Sequence, residues 1–316
     1  MKVLVTGSSG YIGSVLCKVL KENGYFVYGI DESNATDIQR KYMDDFTLSK
    51  VGDDLSAHFD FQNIDAICHL AASADVTDSM TRPSLYYHNN IGQTSSMMDQ
   101  FYLGGWDGKL IFSSTAAVYG DNNYAVDEDS SLKPINAYGH SKLMCEYYLH
   151  AINKIHKTPI TIFRYFNVAG GYGDVGDHLD SGHILQKLCN SYFNNTPFNV
   201  FGTDYNTRDG TCVRDYIHVL DVCGAHLKAL EDVDNTVKVY NLGTGSGITV
   251  NEMLHAFVKF TTSKFTCECK NRRDGDPAFL VANSSKFIND GFEYKHSSID
   301  NIIQSTIDWY RSRHAV

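Results

Sequence analysis

The segment KVLVTGSSGYIGSVLCKVLKENGYFVYGID, residues 2–31, predicts a strand, a glycine-rich loop, a helix and a second strand. Residues 2–6 are a short apolar run that is typical of a buried parallel strand. Apolar side chains then recur at helical spacing from Ile12 to Leu20, and the second strand closes at Asp31. This order is the opening unit of a doubly wound α/β fold.

Three glycines in the loop, Gly7, Gly10 and Gly13, form a GxxGxxG pattern at the start of the helix. Gly7 permits a tight turn out of the strand, Gly10 lets the backbone approach a diphosphate, and Gly13 lets the helix pack close to the sheet. The N–H groups and the positive dipole end of the helix attract phosphate. Because the pattern follows a strand and opens a helix, it predicts a dinucleotide-binding site.

Asp31 stands at the end of the second strand, 24 residues after Gly7. A carboxylate at this place accepts a hydrogen bond from a free ribose 2′-hydroxyl and repels a 2′-phosphate. The sequence therefore predicts NAD rather than NADP as the cofactor. The alternative, that Asp31 only caps a turn, stays open.

Further apolar runs alternate with helical patterns, which predicts a doubly wound parallel sheet of Rossmann type. The runs cover residues 65–72, 108–115 and 159–168, and the helical patterns cover residues 84–103, 138–156 and 183–194. The alternation breaks up after about residue 170. We therefore expect a ligand cleft between an NAD-binding domain and a smaller, mixed α/β substrate-binding part that is interleaved with it, at residues 1–170 and 171–316.

Composition narrows the possible partners and the cell compartment. The formal net charge is −10, from 27 Lys and Arg against 37 Asp and Glu, which disfavours nucleic acid and anionic membranes. Eight scattered cysteines lack a paired zinc spacing, and reduced thiols are typical of cytoplasmic proteins. The sequence has neither a signal peptide pattern nor an apolar run of ~20 residues. We expect a cytoplasmic protein without a metal, a membrane span or a nucleic-acid partner.

The segment AYGHSK places Tyr138 and Lys142 four positions apart, which brings both side chains to one face of a helix. A tyrosine with a pKa near ~10 is a poor base at neutral pH, but a nearby ammonium group favours the phenolate and lowers the tyrosine pKa. The phenolate can then take a proton from a sugar hydroxyl. Ser113, Ser114 and Thr115 end a predicted strand just upstream, and we expect one of these hydroxyls to act on the substrate.

Longer motifs extend the pattern over almost the whole chain: VTGSSGYIGS, ICHLAA, YYHNN, FSSTAAVYGD, AYGHSKLMCE, RYFNVAG, FGTDYNTRDGTCVRDYIHVLDVCGAH, YNLGTGSG and RRDGDPA. In these motifs the chain resembles the extended short-chain dehydrogenase/reductase family and, within it, the UDP-hexose 4-epimerases. The stretch DYNTRDGTCVRDYIHV is the most specific, because it separates 4-epimerases from related dehydratases and reductases. The resemblance implies an NAD-dependent isomerase that interconverts UDP-galactose and UDP-glucose through a 4-keto sugar.

The resemblance also implies roles for individual residues. The catalytic residues would be Thr115, Tyr138 as the base and Lys142 as its partner. The cofactor side would comprise Gly7, Gly10, Tyr11, Ile12, Gly13, Asp31, Asp53, Asp54, Ala71, Ala72, Asn90, Ser113, Tyr138, Lys142 and Phe166. The substrate side would comprise Thr115, Tyr138, Asn167, His183, Val200, Phe201, Arg214, Arg273, Asp276 and Leu280.

Other functions remain open within the resemblance. A UDP-GlcNAc/UDP-GalNAc or UDP-pentose 4-epimerase is the first alternative, and Leu280 would gate the space beside the sugar's 2-substituent. A nucleotide-sugar 4,6-dehydratase is disfavoured, because Ala116 and Ala117 stand where that enzyme class has Asp-Glu. A non-catalytic NAD sensor would usually lack the tyrosine or the lysine. The resemblance further implies a homodimer formed through the helices at residues 84–103 and 138–156, although both patterns fit intramolecular burial equally well.

Overall fold

The computed structural model describes residues 1–179, 181–232, 234–261 and 266–314. Its strands, in chain order, are β1 (Lys2–Thr6), β2 (Phe26–Asp31), β3 (Asp45–Leu48), β4 (Ala66–His69), β5 (Lys109–Thr115), β6 (Ile160–Tyr165), β7 (Asn167–Ala169), β8 (Gly171–Tyr172), β9 (Val175–Gly176), β10 (Phe198–Phe201), β11 (Val213–His218), β12 (Val237–Leu242), β13 (Gly247–Thr249), β14 (Cys267–Lys270) and β15 (Phe279–Leu280).

The helices alternate with these strands in the first half of the chain. They are α1 (Tyr11–Glu22), α2 (Asp37–Arg40), α3 (Val76–Thr81), α4 (Pro83–Tyr86), α5 (Gln93–Leu103), α6 (Ala137–His156), α7 (Ile184–Phe193), α8 (Val219–Glu231), α9 (Val250–Val258), α10 (Ser285–Asn289) and α11 (Ile299–His314). Short 3₁₀ turns cover Phe61–Asn63 and Ala116–Tyr119, and a π-helical turn covers Tyr87–Gly92.

Seven parallel strands form the central sheet in the order β3-β2-β1-β4-β5-β6-β12. The chain direction across the sheet reverses between β1 and β4, so a crevice opens at the carboxyl ends of these two strands. The doubly wound Rossmann-type fold predicted from the sequence is confirmed.

Two apolar cores cover the faces of the central sheet, because its strands carry apolar side chains on both faces. One core joins α1 and α8 to the sheet around Val5, Leu16 and Val222. The other joins α5 and α6 to it around Phe112 and Leu149. The helices predicted at residues 84–103 and 138–156 are therefore partly buried within the chain.

The second half of the chain builds a smaller unit around β11. This strand pairs with β7, β13 and β15, and β10 pairs with β14 beside α7. The chain also returns to the first half, because β12 pairs with β6 and α8 packs on α1. This exchange agrees with an interleaved arrangement, whereas the boundary at residue 170 stays a prediction.

Candidate active site

The glycine loop between β1 and α1 lies against the chain segment that follows β4. Gly7 has φ +69°, and a Cβ atom there would lie 2.9 Å from the backbone nitrogen of Ala71. A Cβ atom on Gly13 would lie 2.0 Å from the carbonyl oxygen of Gly7, so only glycine lets α1 start this close to the loop. Gly10 caps α1 without a side chain, which leaves the first N–H groups of the helix open to a diphosphate.

Tyr11 and Ile12 enter the helix directly after this loop, and their side chains point away from it. The Tyr11 hydroxyl donates to the carbonyl oxygen of Gly170 at 2.6 Å, and Ile12 packs against the α1 core. Any contact of these two residues with a diphosphate therefore runs through their backbone N–H groups.

Asp31 holds the glycine loop and also faces the crevice. Its carboxylate accepts from the backbone N–H of Ser9 at 2.9 Å and from that of Ser33 at 2.8 Å. The turn-capping alternative is therefore real, but each carboxylate oxygen keeps a second lone pair for a ribose hydroxyl. Both roles fit the same side chain.

Asp53 and Asp54 differ in where they point. Asp53 lines an open pocket together with Glu32, Ser33 and Leu48, next to the end of β2. Asp54 instead accepts hydrogen bonds from the hydroxyl and the N–H group of Ser56, which lower its pKa. Only Asp53 of the two lines this pocket, so the geometry favours it as the adenine-side acid.

Asn90 braces the protein with its side chain. Its Oδ1 accepts from the N–H of Ser73 at 2.8 Å, and its Nδ2 donates to the Ser73 carbonyl at 3.0 Å and to the Ser141 hydroxyl at 2.8 Å. The amide thus ties the segment after Ala71 and Ala72 to α6. A direct side-chain contact with the cofactor stays a prediction, and the brace is the contact that the structure has.

The three hydroxyls at the end of β5 have separate partners. Ser113 donates to the His69 carbonyl at 3.0 Å, and Ser114 donates to the carboxylate of Glu146. The Thr115 hydroxyl oxygen accepts from the N–H of Ala117 at 3.1 Å, and Thr115 is the one that lies beside the Tyr138 hydroxyl and lowers its pKa. The structure therefore brings Thr115 to the tyrosine and leaves the two serines in internal contacts.

Gly139 permits this meeting of strand and helix. A Cβ atom on Gly139 would lie 2.7 Å from the carbonyl oxygen of Ala117. The Asn136 side chain caps α6 by accepting from the N–H of Gly139 at 2.8 Å, which fixes the start of the helix. Tyr138 is consequently held close to the turn that follows Thr115.

The Tyr138 pKa moves against the expectation from the tyrosine–lysine spacing. Burial raises it above its ordinary value, and the neighbouring Thr115 hydroxyl only partly offsets this effect. Lys142 is also buried, which lowers its pKa to about 8, and its ammonium lies 4.2 Å from the ring centroid of Phe112. The expected lowering of the tyrosine pKa is therefore wrong for the protein's own groups, because loss of solvation is the main cause of the shift and outweighs the lowering by Thr115.

Two arginines lie on the opposite side of the crevice. Arg214 on β11 is buried, and its Nη2 atom lies 2.7 Å from Asp276 Oδ1. The guanidinium of Arg273 lies 3.9 Å from the ring centroid of Phe201 at the end of β10. A guanidinium grips phosphate through parallel donors, and an aromatic ring beside it suits a base. The structure thus brings four of the predicted substrate-side residues to one side of the cleft.

The other predicted substrate-side residues lie on neighbouring elements. Asn167 is paired with Tyr216 in the β7–β11 ladder, and Val200 is buried in β10. Leu280 on β15 is paired with Arg214, and it packs in one apolar cluster with Phe166. Leu280 is only 9% exposed, so it is part of the cleft's packed wall.

His183 connects the two halves of the site. Its Nδ1 lies 2.7 Å from Asp177 Oδ2, and its ring centroid lies 6.2 Å from that of Tyr11. Partial loss of solvation opposes the positive charge of this 58% exposed side chain, but the hydrogen bond and the charge of Asp177 outweigh it and raise the His183 pKa.

The sequence analysis missed three charged residues around His183, namely Asp177, Lys187 and Asp75. The ammonium of Lys187 lies close enough to Arg273 and to the carboxylates of Asp75 and Asp276 to interact with their charges. Burial and the repulsion by Arg273 lower the Lys187 pKa. The available signal was spacing, because Lys187 follows His183, the N-cap of α7, by four residues and therefore lies in the first turns of that helix.

Comparisons with known proteins agree with this geometry. The profile of the NAD dependent epimerase/dehydratase family matches residues 3–243. The chain belongs to this family. A UDP-glucose 4-epimerase of Lactobacillus helveticus is 36% identical over 99% of this chain and 98% of its own length.

Two solved structures extend the likeness to the fold. A UDP-glucose-4-epimerase of Stenotrophomonas maltophila, with bound NAD and formylated UDP-arabinopyranose, has a TM-score of 0.92 at 32% identity and covers 100% of this chain and 99% of its own. The UDP-Glc/GlcNAc 4-epimerase of Campylobacter jejuni has a TM-score of 0.82 at 35% identity and covers 98% of this chain and 99% of its own.

The residues of this family member fit NAD. The uncapped start of α1, the close approach of Gly7 to Ala71, and the Asp31 carboxylate at the crevice suit a diphosphate and a ribose with a free 2′-hydroxyl. No helix within the described ranges is long and apolar enough to cross a membrane, and those ranges hold no cluster of three potential metal ligands.

Proposed function

We propose that this chain interconverts UDP-galactose and UDP-glucose by inverting C4 of the sugar, with NAD as a cofactor that ends each cycle unchanged. The observation that carries the proposal is the placement of Thr115 beside Tyr138, with Lys142 one helical turn away, at the crevice of an NAD-binding fold. The chain is also 36% identical to a UDP-glucose 4-epimerase over nearly its full length.

The side chains divide the chemistry among them. Tyr138 takes the proton of the sugar 4-hydroxyl and later returns it, and Thr115 holds that hydroxyl in line by hydrogen bonding. The Lys142 ammonium favours the phenolate and can also donate to a ribose hydroxyl. Bound NAD supplies the hydride acceptor and a positively charged ring.

The substrate side must hold the nucleotide in place while the oxidised sugar rotates to present its opposite face. Arg214 and Arg273 hold the diphosphate, and Phe201 packs on uracil. Because both arginines are themselves held, one by Asp276 and one by the Phe201 ring, the diphosphate link is a fixed pivot. Asn167 and His183 then line the space through which the sugar rotates.

Two substrate alternatives have relatives in their favour. The S. maltophila structure holds a UDP-pentose derivative, and the C. jejuni enzyme is named for both UDP-Glc and UDP-GlcNAc. In this chain Leu280 is shorter than an aromatic residue, so the N-acetyl forms are a second candidate substrate. A dehydratase reaction lacks its acid pair, because Ala116 and Ala117 follow Thr115.

The test is incubation of the purified chain with UDP-galactose, UDP-GlcNAc and UDP-xylose in separate reactions, without added reductant. We expect UDP-galactose to be converted, to UDP-glucose, faster than the other two substrates, with some conversion of UDP-GlcNAc. Chromatography resolves the product sugars, and the Tyr138→Phe variant serves as the control. Formation of a stable 4-keto-6-deoxy sugar would instead identify a dehydratase, and a complete lack of conversion would refute the proposal.

We also propose that the chain forms a homodimer through α5 and α6. Met144, Tyr147 and Ile155 recur along one face of α6 and are 48%, 62% and 74% exposed, and Leu103 at the end of α5 is 89% exposed. Such an apolar stripe on helices whose other faces are buried suits a second copy of the chain. Light scattering should give twice the chain mass, and Tyr147→Glu should give the monomer.

We propose a cytoplasmic location as well, which the eight free thiols fit.

A further inference from the structure

A buried ion pair lies directly behind the proposed catalytic residues. Arg164 Nη2 lies 2.7 Å from Glu146 Oε2, and Arg164 Nε lies 3.1 Å from Glu146 Oε1, so the pair is bidentate. The two side chains are 5% and 2% exposed. The Ser114 hydroxyl donates to the same carboxylate, and Ser114 precedes Thr115.

The pair joins the elements that carry the site. Ser114, Arg164 and Asn241 are neighbours across β5, β6 and β12. Arg164 Nη1 donates to the Tyr119 hydroxyl at 2.8 Å, and that hydroxyl donates to Asn241 Oδ1 at 2.7 Å. Glu146 anchors α6 to these strands four residues after Lys142. The distance between Thr115 and Tyr138 is therefore fixed from behind by one buried network.

We propose that Glu146 and Arg164 are a positioning pair for the epimerase reaction, which hold the Tyr138 helix against the Thr115 strand and set the charge felt by Lys142. The inference rests on the proposed function. Neither residue touches the crevice, because both are buried and their hydrogen bonds go to each other, Ser114, Tyr119 and the Glu128 carbonyl.

The second part of the proposal is electrostatic. The Glu146 carboxylate favours the Lys142 ammonium and so raises the Lys142 pKa, against the larger lowering by burial. The bonded Arg164 offsets much of this carboxylate charge. Removing one member of the pair therefore leaves an uncompensated charge one helical turn from Lys142, and its sign depends on which member is removed.

His150 on α6 interacts with the charges of Glu146 and Arg164, and burial lowers its pKa, while the Glu128 carboxylate interacts with Tyr119. Four further titratable groups face the catalytic residues. Burial lowers the His69 pKa to about 3 and raises the Cys145 pKa to about 11, and it raises the pKa values of Tyr86 and Tyr165. These groups face Lys142 or Tyr138 from β4, α6, α4 and β6. Between about pH 5 and 9 they keep one protonation state, so they do not mask a shift caused by the pair.

The experiment compares the pH profiles of kcat for Glu146→Gln and Arg164→Met. Glu146→Gln leaves the arginine charge alone, which lowers the pKa values of both Lys142 and Tyr138. Both the acidic and the alkaline limb of the kcat profile of Glu146→Gln should move to lower pH by about one unit. Arg164→Met leaves the Glu146 carboxylate, either charged or protonated. The limbs of its kcat profile should therefore lie at the same pH as those of the wild type or at higher pH.

The two variants break the same contact, so a merely structural role predicts the same change in both. Shifts in one direction for both variants, or no shift for Glu146→Gln, would overturn the electrostatic part. The double variant Glu146→Met, Arg164→Met removes both charges and restores packing, since such replacements are often tolerated. We expect its kcat to fall at least tenfold with KM within about twofold, and its limbs to stay at the wild-type pH. A wild-type kcat would overturn the positioning part.

Two further measurements keep the test decisive. If a single variant does not fold, the double variant carries the positioning test. Glu146→Asp, which retains the carboxylate charge, is then the control for the charge test. If the wild-type chain shows no epimerase activity, the proposed function has failed, but the pair can still be tested. Ultraviolet difference spectra, each against the same protein with Tyr138→Phe, then report the midpoint of Tyr138 ionisation, with the same expected shifts.

Discussion

Replacement of Gly139 by alanine should separate activity from stability. The new Cβ atom would lie 2.7 Å from the Ala117 carbonyl oxygen and 3.0 Å from Pro134 Cβ. An ordinary contact begins at 3.4 Å, so α6 must retreat from the turn after Thr115 by about 0.7 Å. This movement carries Tyr138 away from Thr115.

The size of the effect follows from two opposing contributions. Overpacking costs about 1–3 kcal/mol of stability, and alanine regains up to about 1 kcal/mol in a helix. The net loss is small for a chain of this length, so the unfolding midpoint should fall by only a few degrees. A misplacement of about 1 Å in a reacting group, in contrast, can cost about 100-fold in rate. We therefore expect kcat to fall about 10- to 100-fold.

The assay is the rate of UDP-galactose conversion, with thermal unfolding measured on the same samples. Gly224→Ala on α8 is the matched control, because its new Cβ atom would lie 3.7 Å from the Phe292 ring, an ordinary contact. That control should be as stable as the wild type or more so, with unchanged kcat. A kcat within threefold of the wild type for Gly139→Ala would show that the start of α6 does not set the catalytic geometry.

Three further substitutions test single residues. Tyr138→Phe should keep NAD binding and lose about 10²–10⁴-fold in kcat, and a loss below threefold would remove Tyr138 from the mechanism. Asp31→Ala should narrow the preference for NAD over NADP in binding titrations, and an unchanged preference would show that another residue sets it. Leu280→Tyr should abolish activity on UDP-GlcNAc and spare activity on UDP-galactose. Because Leu280 is 9% exposed, thermal unfolding is measured on the same samples. Persistent activity on UDP-GlcNAc would refute the role of Leu280 as a gate.

Local patterns in the sequence predicted the parts of the site that depend on neighbouring residues. The glycine loop and the tyrosine–lysine pair lie within single turns, so their spacing determined their geometry. The Glu146–Arg164 pair could not be predicted in this way, because it forms only when α6 packs on β6. The hydrogen bonds of the Asn90 side chain were not predicted for a related reason, since a π-helical turn at Tyr87–Gly92 places its amide between Ser73 and Ser141.

The raised pKa of Tyr138 links the state of the base to the cofactor. Among the protein's own groups, burial is the main cause of the shift, and the Tyr138 pKa stays raised although Lys142, with a pKa of about 8, is charged at neutral pH. A phenolate at neutral pH therefore needs further positive charge, which an oxidised nicotinamide ring carries and a reduced ring does not.

We therefore expect Tyr138 to release a proton when the cofactor-free protein binds NAD and to keep that proton when the cofactor-free protein binds NADH. Calorimetry in buffers of different ionisation enthalpy counts the released protons, and Tyr138→Phe is the control that should release none. The sign also suits the reaction, because the tyrosine becomes a weaker acid at the moment when the sugar's proton must be held. Equal proton release with both forms of the cofactor would show that Lys142 and Thr115 alone set the base.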